Sequence, residues 1–147
     1  MDTLKKACSY CIYQERTQQE VREKLKSWGV RPAEAEEMIA WLITGNYLNE
    51  GRYARQFVGG KFRIKKWGRR KILFALKSRG LSSACIREAL EEIEEEEYRN
   101  NVLNLALRKK ETLPVKTPPI LIHKKLTEYL LGKGYETDYI REVLELI

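Results

Sequence analysis

The sequence predicts an all-α protein: an elongated tandem array of three three-helix repeats, bounded at residues 1–48, 49–95 and 96–147. Three observations predict it. Gly29, Gly80 and Gly134 each follow a pair of apolar residues at helical spacing, namely Val21 and Leu25, Ile72 and Leu76, and Leu126 and Leu130. Past each glycine, a second apolar stripe recurs at matching offsets: Ala35, Met38, Ile39 and Leu42; Ile86, Ala89, Leu90 and Ile93; Ile140, Val143, Leu144 and Ile147. Only four prolines occur, and no alternating run is bounded by hairpin turns. A glycine just past a helix end takes the left-handed conformation that closes it. The glycine spacings, 51 and 54 residues, leave room for a third helix in each repeat. A unit of about 50 residues is marginal alone and gains stability by stacking on its neighbours.

Each element has its own signal. The stretch around Cys8 and Cys11 reads as helix interior. Thr17 through Glu20 is a capping box, opening a helix that runs to about Trp28. Pro32 suits the first turn of the next helix, and Gly45 can end it. Asn49 can cap a helix from about Glu50 through Phe62. Within that helix, Gly59 and Gly60 each cost about 1 kcal/mol relative to alanine. They mark either a bend or close approach, or a helix weakening near its end. Gly68 stands where Thr17 stands relative to the closing glycine. Between Glu91 and Arg99 no cap or breaker marks a boundary, so the flanking helices either fuse or bend there. Leu113–Pro119 is the clearest loop, with a helix start at Thr117 and Pro118 that makes the last repeat's middle helix longer or irregular at its start.

Composition narrows the function. An apolar share of 43% excludes disorder as the dominant state, and no apolar run is long enough to span a bilayer. No secretory signal is visible, and three cysteines make no disulfide framework. A soluble protein of a reducing, cytoplasmic compartment is expected. The charge is unevenly placed. Residues 51–79 hold 11 basic groups and no acidic one, whereas the flanks are slightly acidic. That asymmetry points to a polyanionic partner or an acidic protein groove.

The basic segment supplies the candidate binding residues: Arg52, Arg55, Lys61, Arg63, Lys65, Lys66, Arg69, Arg70, Lys71 and Lys77. Arg79 closes the run. A surface normally mixes both signs, so a stretch this one-sided suits contact with a phosphate backbone. Tyr53, Phe57, Phe62, Trp67 and Phe74 are interleaved with it, and Phe57, Trp67 and Phe74 are expected in the core. No catalytic constellation emerges. Cys8 and Cys11 lack two further metal ligands and a strand–turn–helix setting. His123 is the sole histidine, Asp2 and Asp138 are the sole aspartates, and no Gly-rich phosphate loop occurs. Neither a metal nor a cofactor is expected.

These residues resemble a known family. Cys8-Ser9, Glu15-Arg16 and Glu20-Val21-Arg22-Glu23-Lys24-Leu25, then Tyr47 through Val58, and then Lys61-Phe62-Arg63 with Lys66-Trp67-Gly68-Arg69-Arg70-Lys71-Ile72, are similar to the RecX family of bacterial RecA modulators. The resemblance covers essentially the whole chain and is strongest over residues 47–90. One departure is Asn49-Glu50-Gly51, where many members carry acidic residues. The resemblance implies a non-enzymatic regulator in DNA repair and the SOS response, and a monomer is the simpler expectation beside it. Its partner would be the RecA–single-stranded-DNA filament, whose ATP hydrolysis, strand exchange and coprotease activity it would inhibit. Weak, salt-dependent contact with single-stranded DNA and no membrane association belong to the same expectation. The competing reading is a standalone helical module that binds duplex DNA by sequence.

Overall fold

Local chemistry sets the helix ends along the chain. The structure, a computed structural model, describes residues 2–147, which form nine helices and no strand. Helix α1 (Thr3–Tyr13) starts on Asp2, whose carboxylate accepts from the Leu4 amide at 3.2 Å. Helix α2 (Gln18–Ser27) opens on the expected capping box: Thr17 Oγ1 accepts from the Glu20 amide and Glu20 Oε1 from the Thr17 amide, each at 3.1 Å. Helix α3 (Pro32–Thr44) carries Pro32 in its first turn and ends at Gly45. The left-handed residue there is Asn46, at φ 63°, not the glycine.

Helix α4 (Glu50–Arg63) begins where Asn49 Oδ1 accepts from the Arg52 amide at 2.9 Å. It runs unbroken through Gly59 and Gly60, and a Cβ on Gly60 would meet nothing within 4 Å. A Cβ on Gly59 would meet only the Arg63 guanidinium of the same helix, at 3.2 Å, so neither glycine serves a close approach by another element and both weaken the helix near its end. Helices α5 (Arg69–Ser78) and α6 (Ser83–Leu90) follow. The acidic run then leaves the helix for four residues before α7 (Glu95–Thr112), with Glu94 extended at ψ 136°. Its physical cause is Ile93, which turns into the core while Glu91, Glu92 and Glu94 stay in water. Helix α8 (Pro119–Lys133) starts one residue beyond Pro118, and α9 (Thr137–Leu146) completes the chain.

Three closing glycines define the repeat. Gly29, Gly80 and Gly134 have φ of 82°, 81° and 98°. In each case the next residue's amide reaches back to the leucine four before the glycine: Val30 to Leu25 at 3.0 Å, Leu81 to Leu76 at 3.4 Å, and Tyr135 to Leu130 at 3.1 Å. That is one Schellman closure used three times.

The chain gathers into two compact units, Met1–Phe57 with Leu76–Ala89, and Val58–Ala75 with Leu90–Ile147. Helices α4 and α5 each contribute to both. In the first unit, Ala7, Cys11, Val21, Leu25, Ala35, Ile39, Leu42 and Leu48 form one buried cluster. In the second, the largest buried side chains are Phe62, Tyr98 and Tyr135, whose rings follow one another at centroid distances of 5.9 and 5.2 Å. No described helix is long and apolar enough to cross a membrane.

Candidate nucleic-acid interface

In the second unit, the turn between α4 and α5 carries the densest positive charge, and its backbone is held from α7 and α8. The first amides of a helix have no intrahelical acceptor. At the start of α5 the Gly68 amide donates to Lys133 O at 2.7 Å and the Arg70 amide to Gly134 O at 3.0 Å. Between them, the Arg69 amide donates to Tyr98 Oη at 2.9 Å. The carboxyl end of α8 thus caps the amino end of α5, an arrangement the two helix dipoles favour. Tyr135 Oη donates to Lys66 O at 2.8 Å and Lys133 Nζ to Lys65 O at 3.3 Å, fixing the turn itself. Lys66 sits there at φ 60°, a left-handed conformation that costs a non-glycine residue about 1–2 kcal/mol.

The cations of this unit divide by what faces them. The Arg69 guanidinium lies 3.9 Å from the centre of the Tyr98 ring and donates to Glu95 Oε2 at 2.9 Å and Tyr139 Oη at 3.1 Å. Glu136 stands 3.5 Å away and accepts the Tyr98 hydroxyl. Only 22% of the Arg69 side chain is exposed, and its partners hold its pKa above the ordinary arginine value despite the opposing effect of burial. Arg69 is therefore an internal tie. Arg63 pairs with Glu97 at 3.5 Å. The ammonium groups of Lys61 and Lys71 lie 4.8 and 4.5 Å from the centre of the Trp67 ring, which orders both by cation–π attraction.

Lys65, Lys66, Arg70 and Lys71 form no ion pair among the described residues. The carboxylates of Glu95, Glu97 and Glu136 are engaged by Arg63, Arg69 and Arg99, so those four charges stand without a carboxylate partner. Such a surface attracts phosphate or carboxylate polymers.

The other three sequence-predicted residues lie in the first unit. Arg52 donates to Glu15 Oε2 at 2.6 Å and to the carbonyls of Asn46 and Tyr47, which makes it a tie as well. Arg55 and Lys77 are exposed, and Lys77 lines a shallow cleft with Gln18, Arg22, Glu23 and Glu50.

The core expectation fails outright at Phe74, while Phe57 and Trp67 are partly buried at the edge of the core. Phe57 is half-buried beneath the Arg79 guanidinium, 4.7 Å from its ring, and Trp67 is half-buried beneath its two lysines. Phe74 is 75% exposed. Ile72 and Leu76, four residues apart, form the buried stripe of α5, and Phe74 midway between them points to the opposite side. Phe62 is the core aromatic of this segment.

Sequence reasoning missed a second cationic surface, in the first unit. The Arg16 guanidinium lies 3.7 Å from the Tyr10 ring centre, Lys6 lies 5.3 Å from Trp28, and Lys24 lies within 6 Å of both rings. The signal was present in the Lys24–Trp28 pair at one-turn spacing, hidden because residues 1–50 as a whole carry 7 basic against 8 acidic groups.

Cys8 and Cys11 both lie in α1, with Cys11 in the core cluster. Burial pushes the Cys11 thiol pKa up, opposite to what a reactive thiolate needs. His123 is exposed on α8. Among the described residues no group of three or more His, Cys, Asp or Glu is placed to hold a metal ion.

Comparison with known proteins completes the picture. Residues 4–42 match the description "RecX, first three-helix domain", and residues 49–90 match "RecX, second three-helix domain". A protein of Clostridium botulinum named Regulatory protein RecX is 34% identical over 131 residues, 88% of this chain and 61% of its own. One of the same name from Prosthecochloris aestuarii is 31% identical over 142 residues, 97% of this chain and 91% of its own. The chain spans about three-fifths of the length of the first of these relatives, and 51% of one from Bacillus mycoides. The crystal structure of RecX from Lactobacillus salivarius superposes with a TM-score of 0.85 at 25% identity, covering 98% of this chain and 95% of that one.

Proposed function

The chain belongs to the RecX family of regulatory proteins, and from that premise we propose that it binds the RecA–single-stranded-DNA filament and restrains it. In this reading it is a non-enzymatic, monomeric, cytoplasmic regulator, built of repeats at 1–48, 49–95 and 96–147. It lowers RecA ATP hydrolysis, strand exchange and coprotease activity, and so acts in DNA repair and the SOS response.

The observation that carries the reading is the partition of the basic segment. Arg52 and Arg69 tie the fold together, while Lys65 and Lys66 on the turn, and Arg70 and Lys71 in the first turn of α5, stand without carboxylate partners. Fixed, unneutralised cations are what a filament coated in DNA phosphate would meet. Lys61 and Arg63 extend the contact within the second unit, and Arg55 and Lys77 are secondary positions on the first.

The test follows ATP turnover by preformed RecA filaments as the protein is added. Inhibition is expected at stoichiometric or modest excess protein, and unchanged turnover at large excess would refute the proposal. Replacing Lys65, Lys66, Arg70 and Lys71 together with glutamine should abolish inhibition while leaving helicity intact. Full inhibition by that variant would move the contact elsewhere on the chain. A sequence-specific duplex preference without RecA would favour the standalone-module reading.

A further inference from the structure

We propose that Phe74 is a stacking platform for an unpaired base, making the basic turn of the second unit a reader of single-stranded nucleic acid in its own right. This deepens the filament proposal and rests on its reading of the turn as a phosphate-contacting surface.

Four observations converge on this residue. Phe74 is 75% exposed on a well-formed helix, so its ring faces water because of its position on α5 and not because the segment is loose. Arg70 and Lys71 precede it by four and three residues, the spacings that share a helix face. Both cations lack a carboxylate partner among the described residues. Lys71 is also drawn to Trp67, at 4.5 Å, so the cation beside the exposed ring is held in place.

The chemistry selects the occupant. A single strand offers phosphates to Arg70 and Lys71 and a free π-face to Phe74 at the same time. In a duplex the base faces are already stacked, and only the edges are reachable in the grooves. An acidic peptide satisfies the cations but does not repeat a flat π-face beside each charge, as a single strand does. A positively charged groove with interleaved aromatic rings is the general solution for holding a single strand without reading its sequence.

The experiment uses the full chain without recombinase and three fluorescent probes: a mixed-sequence single strand, an abasic strand of equal length and charge, and a duplex. Binding is measured over a series of salt concentrations. Phe74→Ala should weaken single-strand binding roughly 5- to 150-fold, the alanine-substitution range for one stacked base. It should leave the abasic strand, the duplex and the salt slope unchanged. Phe74→Trp should bind the single strand at least as well as the parent chain. Arg70→Gln should instead shift the salt slope by about 0.7, the contribution of one single-strand phosphate. Because Phe74 and Arg70 are exposed, all these variants are expected to fold, which circular dichroism checks.

Phe74→Ala binding like the parent chain would overturn the stacking role and leave the filament proposal standing. Equal weakening toward the abasic strand would overturn it too, since no base is then involved. A parent chain that ignores the single strand at low salt yet inhibits RecA filaments would likewise overturn this inference alone.

Discussion

Gly68 and Gly134 meet backbone to backbone: a Cβ on Gly68 would lie 2.4 Å from the carbonyl of Gly134, and one on Gly134 would lie 2.4 Å from Lys71 Cβ. That contact lets the end of α8 cap the start of α5, and it sets where the basic turn sits. Gly68→Ala should therefore cost about 2–3 kcal/mol of stability, because the obstructing atoms are backbone and have nowhere to move. Gly134→Ala should cost at least as much, since it adds the strain of φ 98°. Gly60→Ala is the control: it lies in the last turn of α4 in open space and should stabilise by up to about 0.5–1 kcal/mol. Urea unfolding midpoints check the order. A Gly68→Ala protein as stable as its parent would show that the junction yields without cost.

Two adjacent arginines should behave as opposites. Arg69 is stacked on Tyr98 and joined to Glu95, whereas Arg70 stands exposed. Arg69→Gln leaves Glu136 without a cation and Glu95 with Arg99 alone, and should destabilise by about 1–3 kcal/mol, reduced from the fully buried case because Glu95 is half in water. Arg70→Gln should fall within about 0.5 kcal/mol of the parent. Thermal melts of the two variants decide it, and equal losses would sink the division between tie and contact.

The repeat was legible because one backbone event recurs. Gly29, Gly80 and Gly134 are all left-handed and all close the same motif, and no partner from elsewhere in the chain is needed to produce that. The break before α7 was illegible because no glycine, proline or cap makes it; the burial of Ile93 does, and that is a tertiary fact. The cap of α5 was illegible for the same reason, as its acceptors lie on residues 98, 133 and 134. Within the basic segment, sequence located the charge but could not separate Arg69 and Arg52 from their neighbours, because the carboxylates that hold them are distant in sequence. The aromatic error at Phe74 was avoidable: Ile72 and Leu76 already define the buried side of that helix.

Alkaline pH should weaken the fold through its buried tyrosines. Burial holds the pKa of both Tyr98 and Tyr135 well above the ordinary value, while in the unfolded chain each ionises near pH ~10. Below that pH both states are protonated and stability is flat. Above it, the unfolded state releases protons that the folded state retains, so stability falls as pH rises. Urea unfolding from pH 8 to 11 should show this decline, and Tyr98→Phe should make it shallower, leaving the share of Tyr135. A decline of the same steepness in Tyr98→Phe would assign the effect to other groups.

Thr17 and Gly68 occupy matching places in their repeats, yet they start their helices by different means. Thr17 is wholly buried and caps α2 through its own hydroxyl, in exchange with Glu20. Gly68 has no side chain and starts α5 with acceptors supplied by α8. Thr17→Ala should therefore lose the cap and cost about 1–2 kcal/mol, while Thr17→Ser keeps the acceptor and should recover most of that. The reverse exchange does not work, because Gly68→Ser would place Cβ against the Gly134 carbonyl before its hydroxyl could act as a cap. Chemical unfolding of Thr17→Ala, Thr17→Ser and Gly68→Ser compares the two devices directly. If Gly68→Ser proved as stable as the parent, a side-chain cap would be able to replace the helix-to-helix junction, and the close approach of α8 would not be what positions the basic turn.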